Sequence, residues 1–185
     1  MIANQDHSSA PETASGPPEA TPTGVGAEPR RGPDERQGRF AQSFSQILAV
    51  LMRDTQFRNM RLADLEWLVL PPLLSGQVRV AHAPTGRDKF YVPVAVAVWA
   101  RVSPEVDRRL TAELDKPMIL KPAEWTSGDQ VWLVALAGEA SAKATFLPRL
   151  AQEQFKGMTV KMRGLDRENR VVVTTLDQLG GGGGA

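Results

Sequence analysis

Side chains able to move protons or hold ions are sparse in this sequence, and their spacing narrows the available chemistry. There are two histidines, His7 and His82, and no cysteine. Without cysteine there are no thiolate nucleophiles, disulfides or Cys-bound metals. Two isolated histidines with no carboxylates at matching spacing do not make a zinc site, so no metal is expected. His82 falls near the end of a strand-like segment, where it is either an exposed hairpin residue or a general base. The G-x-S-x-G nucleophile elbow is absent. A glycine-rich phosphate loop must precede a helix, which Gly180 to Gly184 at the chain end do not. Asp129 closes the run Trp125-Thr126-Ser127-Gly128-Asp129, which suits a tight turn leading into a strand. Trp132 follows shortly, and both tryptophans are expected in the core.

The elements that must position these groups occupy only part of the 185 residues. Residues 1–38 are rich in Pro, Gly, Ala, Ser, Thr and Glu, a composition that buries too little apolar surface to offset chain entropy. His7 lies in this stretch. A disordered tail is therefore expected over 1–38, one domain over 39–178, and a flexible glycine-rich end over 179–185. With 22 basic and 21 acidic residues interspersed and a net charge of +1, no basic surface for nucleic acid is expected. The start of the chain lacks a signal-peptide pattern, and the longest apolar run, Phe90 to Ala100, is far short of the ~20 residues of a membrane helix. The expectation is a cytoplasmic protein with no membrane span.

Periodicity predicts a helix over Phe40–Arg53, with Phe40, Phe44, Ile47, Leu48 and Leu51 on one stripe facing either the core or a second copy. A polar connection over Asp54–Asn59 precedes a second helix, Leu62–Leu74, ended or kinked by Pro71-Pro72. Gln77–Ala83 and Phe90–Val102 read as an antiparallel hairpin about Pro84-Thr85-Gly86-Arg87-Asp88. Ser103-Pro104-Glu105 is a helix start, with Glu105 and Arg109 spaced to pair. A buried strand over Gln130–Leu136 follows, then a helix over Leu147–Phe155 begun by Pro148. A last hairpin joins Met158–Met162 to Arg170–Thr174. This order predicts an α+β class, or α/β with a mixed, partly antiparallel sheet.

Four stretches, in order, are similar to one family: Gln56-Phe57-Arg58-Asn59; Val69-Leu70-Pro71-Pro72 followed by Gln77; Pro93-Val94-Ala95 with Trp99-Ala100 and Ser103; and Glu124 through Asp129 with Trp132. Over about residues 40–176 the chain resembles the RTX toxin-activating lysine acyltransferases. The resemblance implies a GNAT-like fold with two N-terminal helices. It also implies transfer of a fatty acyl group from acyl carrier protein to lysines of an RTX-type secreted protein, with no bound cofactor. It suggests binding roles for Arg58, Asn59, Trp125, Thr126, Ser127, Gly128 and Asp129, and is compatible with a homo- or heterodimer. The family's catalytic His and Asp, however, fall on Phe57 and Ala135, and neither side chain accepts a proton. Two expectations follow. One is an active enzyme using another base, of which His82 is the candidate. The other is a pseudoenzyme that keeps the fold to bind a secreted protein, an acyl carrier protein or an active paralogue.

Overall fold

The computed structural model describes residues 33–86 and 90–180. Most of the stretch expected as a tail, residues 1–32, lies outside the described residues, as do 87–89 and 181–185. The remainder of that stretch, 33–38, is helical: α1 spans Pro33–Leu51, with proline tolerated at its start and Asp34 and Glu35 in its first turn. Its stripe meets the sheet through Ile47, Val50 and Leu51. Phe40 and Phe44, one turn apart, stack with ring centroids 6.3 Å from each other.

The expected second helix is divided in two, α2 (Asp64–Leu68) and α3 (Leu70–Ser75), so among the described residues three helices precede the sheet. In a continuous helix the amides of residues 71 and 72 would bond to the carbonyls of Trp67 and Leu68. Proline has no amide hydrogen, and the helix restarts with Pro71 and Pro72 in its first turn. Gly76, left-handed at φ 72°, ends α3.

Strands β1 (Val78–Thr85) and β2 (Phe90–Val102) form the antiparallel hairpin, with β1 running through Pro84 and Thr85, which the sequence assigns to a turn. β3 (Gln130–Gly138), β4 (Val160–Leu165) and β5 (Val171–Thr175) complete a five-stranded sheet in the order β1-β2-β3-β4-β5. Only β3 and β4 are parallel, joined by the crossover helix α5 (Ala140–Glu153). The mixed α+β class expected from the sequence is the class found. Pro148, expected to begin this helix, lies inside it. Its missing hydrogen bond falls on the exposed face, where Ala144 and Pro148 both meet solvent. α4 (Pro104–Ala112) carries the expected Ser103 cap, but Glu105 pairs with Arg108, and Arg109 reaches Glu124 at 2.8 Å instead. A short helix not expected from the sequence, α6 (Leu176–Gly180), runs into the segment read as a flexible end and buries Leu176.

Both faces of the central strands are covered, which is why Ala95 through Ala100 are all buried. Val96, Val98, Ala100 and Val102 pack with α1, α4, Trp125 and Trp132. Ala97 and Trp99 point the other way, toward Val131, Leu133, Leu150, Phe155 and Leu176. A bulge opposite Val98/Trp99 leaves Val134 unpaired with β2. It turns two successive residues, Val134 and Ala135, to the α1 face.

Candidate functional site

The turn after α1 sets the first position of interest. Asp54 accepts from the Gln56 amide at 2.8 Å, forming a local side-chain turn, and its backbone carbonyl accepts from the amides of Phe57 (3.2 Å) and Arg58 (2.9 Å). That turn directs Phe57 into the α1-side cluster, where it is half-buried, while Arg58 and Asn59 face solvent. The β3 bulge delivers Ala135 to the same cluster, 5% exposed. The structure thus brings positions 57 and 135 to one apolar body and leaves Arg58 and Asn59 outside it.

Asp54 itself, for which the sequence pattern gives no role, is one of two buried polar residues among those described, the other being Gln77. Its second oxygen accepts from the Gly138 amide at 2.8 Å, and Lys143 of α5 stands 3.5 Å away. Burial alone would push its carboxyl up. The Gly138 and Gln56 amides and the Lys143 ammonium more than offset this, holding it below the ordinary carboxylate range. A cleft of about 320 Å³ opens here, lined by Arg53, Asp54, Thr55, Val94, Glu139 and Lys143 among others. Arg53 is fixed across it by bonds to the carbonyls of Ala49 (2.8 Å) and Pro93 (2.7 Å). What could have drawn attention to Asp54 is a lone acid three residues before Phe57. Its burial depends on Gly138, 84 positions away in sequence.

His82 is exposed and lines a different groove, with Arg39, Gln42, Ser43, Gln46 and Tyr91. The Trp125–Asp129 run is largely structural. The Trp125 carbonyl accepts from the Arg101 amide (2.9 Å) and from Gln77 Nε2 (3.1 Å), while the Gly128 amide donates to the Arg101 carbonyl (3.1 Å). The Ser127 hydroxyl accepts from the Ser103 amide at 2.8 Å and donates to the Glu124 carbonyl at 3.0 Å. A Cβ on Gly128 would stand 2.5 Å from the Val102 carbonyl oxygen, so only glycine fits. Trp125 is 1% exposed, whereas Thr126 and Asp129 are at the surface. Trp132, fully buried, donates its indole N–H to Asp107 at 2.8 Å, and Lys161 holds the same carboxylate at 2.8 and 2.9 Å. Among the described residues no three His, Cys, Asp or Glu gather as a metal site.

The sequence profile of HlyC, the RTX toxin acyltransferase family, matches residues 37–175. The chain belongs to this family. None of the curated proteins matches the chain. The match spans the domain from within α1 to the last residue of β5, so the turn bearing Phe57 and the strand bearing Ala135 both lie in the family's region. The mixed sheet with helices on both faces is consistent with a GNAT-like acyltransferase fold. Among the described residues no helix is long and apolar enough to cross a membrane.

Proposed function

We propose that in this member of the RTX toxin acyltransferase family, fatty acyl transfer from acyl carrier protein to lysines of an RTX-type secreted protein is silent or strongly impaired. The reading rests on one observation: Phe57 and Ala135 pack into the same apolar cluster, without a proton acceptor of their own. A lysine amine, with an unperturbed pKa of about 10.4, is almost wholly protonated near neutrality and must lose a proton before it attacks a thioester. A positioned base is worth ~10²–10⁴-fold in such a step. Asp54, the one buried acid among the described residues, does not replace it. Its carboxyl is held below the usual range, so it is a weak acceptor for an ammonium proton. His82 lies in a separate, exposed groove.

A second reading, a non-catalytic subunit that binds an acyl carrier protein, a secreted protein or an active paralogue, draws support from the same packing. The substituted positions are filled by side chains that complete the core, so the fold is kept while the acid–base pair is absent.

The test is incubation of the protein with acyl carrier protein charged with a labelled fatty acid and candidate RTX-type targets. Little or no label on target lysines is the expected result, and robust turnover overturns the reading. If turnover appears and is lost in a folded His82→Ala variant, His82 is the base. Saturable binding of acyl carrier protein without transfer supports the second reading.

A further inference from the structure

The opposite face of the sheet from Phe57 and Ala135 carries a second cleft, of about 470 Å³, within the size range of small-ligand sites. Its apolar part comes from Trp99, Val131, Phe155 and Met158, and Trp99 and Phe155 meet edge to face at 5.3 Å. Gln77, 6% exposed, forms part of the wall, held by Ser75 Oγ (2.8 Å) and by its own bond to the Trp125 carbonyl. Among the described residues Arg101 is the one charged side chain in the lining, and no carboxylate contributes to it.

Strand register explains this arrangement. Arg101 lies two residues beyond Trp99 on β2, past the bulge, and pairs with Val131, so all three share a face. The Arg101 backbone is fully used: its N–H goes to Trp125, and its carbonyl accepts from Gly128. Its guanidinium is exposed and, among the described residues, makes no hydrogen bond or ion pair. Neighbouring Asp129 does not engage it. Arg79 adds a second positive charge from β1, its guanidinium 5.9 Å from the Trp99 ring centroid and, among the described residues, hydrogen-bonded only to the Val78 carbonyl. Five donors in a planar fork, beside an apolar wall and without a competing acid, suit one ligand chemistry.

We infer that this cleft is a binding site for a small organic anion, a carboxylate or phosphate head on an apolar body. The head pairs with Arg101, with Arg79 adding to the local field, and the body lies against Trp99, Phe155 and Met158. The site is independent of the proposed loss of acyl transfer, since it shares no residue with the cluster at Phe57 and Ala135.

The experiment is calorimetric or NMR titration of the full chain with hexanoate, hexyl phosphate and, as the cation on the same chain, hexyltrimethylammonium. Saturable binding of either anion, with weaker or no binding of the cation, is expected, and which anion binds identifies the head group. Arg101→Glu should weaken anion binding by about tenfold or more, the loss of a hydrogen bond to a charged group. Arg101→Lys should recover part of it. Arg108→Glu makes the same charge change on exposed α4 and should leave binding as in the wild type. Since the Arg101 side chain makes no hydrogen bond or ion pair among the described residues, Arg101→Glu should also melt as the wild type does. Equal binding of cation and anion, unchanged binding in a folded Arg101→Glu protein, or no saturable binding of either anion overturns the inference.

Discussion

Asp54, the one buried acid among the described residues, ties distant parts of the chain together. Its two oxygens tie the turn after α1 to the end of β3, through the amides of Gln56 and Gly138. In Asp54→Asn one oxygen becomes an amide group, which sets a donor against either the Gln56 N–H or the Gly138 N–H and Lys143 together. We expect a loss of about 1–3 kcal/mol in denaturant unfolding. The pH dependence has a definite sign. Because the folded carboxyl is depressed, the unfolded chain binds the proton more readily, so its contribution is full above the unfolded value of about 3.9. It fades as pH falls through the folded value, and the gap between wild type and Asp54→Asn should shrink with it. Ala135→Asp presents the converse case. At 5% exposure among apolar groups, the new carboxylate should cost about 3–5 kcal/mol alone. Combined with Phe57→His the cost should be smaller than the sum of the two single changes, if the imidazole comes within hydrogen-bond reach. A double-mutant cycle measures that coupling, and the same double variant should show a trace of lysine acylation where the wild type shows little or none. What was legible in sequence was the family itself, through four stretches in order that include Arg58-Asn59 and the run from Trp125 to Trp132. The role of Asp54 was not, since a polar turn residue looks the same whether its partner is water or a distant amide.

At the scale of elements, the strands were read more accurately than the helices, for a physical reason. β2 is bounded by a turn cluster and a Ser-Pro cap, and its continuous apolar run reflects burial on both faces, so Phe90–Val102 could be read directly. Proline interrupts the second helix at Pro71-Pro72 as the sequence implies, but at Pro148 it misled the reading. It marks a first turn in α3 but sits in mid-helix in α5, and which of these holds depends on whether its missing bond faces solvent. The two glycines closing α3 and β3 make a controlled comparison. Both have positive φ, 72° at Gly76 and 128° at Gly138. A Cβ at Gly76 meets nothing within 4 Å, whereas one at Gly138 would stand 2.4 Å from the Val94 carbonyl oxygen. Gly76→Ala should therefore cost only about 1–2 kcal/mol, the left-handed penalty by itself. Gly138→Ala should cost about 3 kcal/mol or more, because β2 or the Asp54 contact must also shift. Equal losses in thermal or urea unfolding would mean that the β2–β3 junction has slack which this packing does not show.

The whole domain is organised by a sheet in which strands β2 and β3 belong to both hydrophobic clusters, so neither cluster is separable from the other. Alternation along β2 sends Val98 and Ala100 to one side and Ala97 and Trp99 to the other. The tryptophans divide in the same way: Trp67, Trp125 and Trp132 lie with the α1 side, Trp99 with the α5 side. Loss of either cluster would leave β2 and β3 with one bare face, which predicts a single cooperative transition with coincident midpoints by tryptophan fluorescence and far-ultraviolet circular dichroism. Trp132 tests this most directly. It is fully buried, and its N–H anchors Asp107, through which Lys161 of β4 is also held. Trp132→Ala should cost about 3–5 kcal/mol. Trp132→Phe keeps most of the volume and, with Lys161 still pairing Asp107, should cost nearer the ~1 kcal/mol of one hydrogen bond. In both variants the two probes should move together. A separation of their midpoints, with the fluorescence of Trp99 persisting after the α1 side has melted, would show that the α5 side folds as a unit of its own.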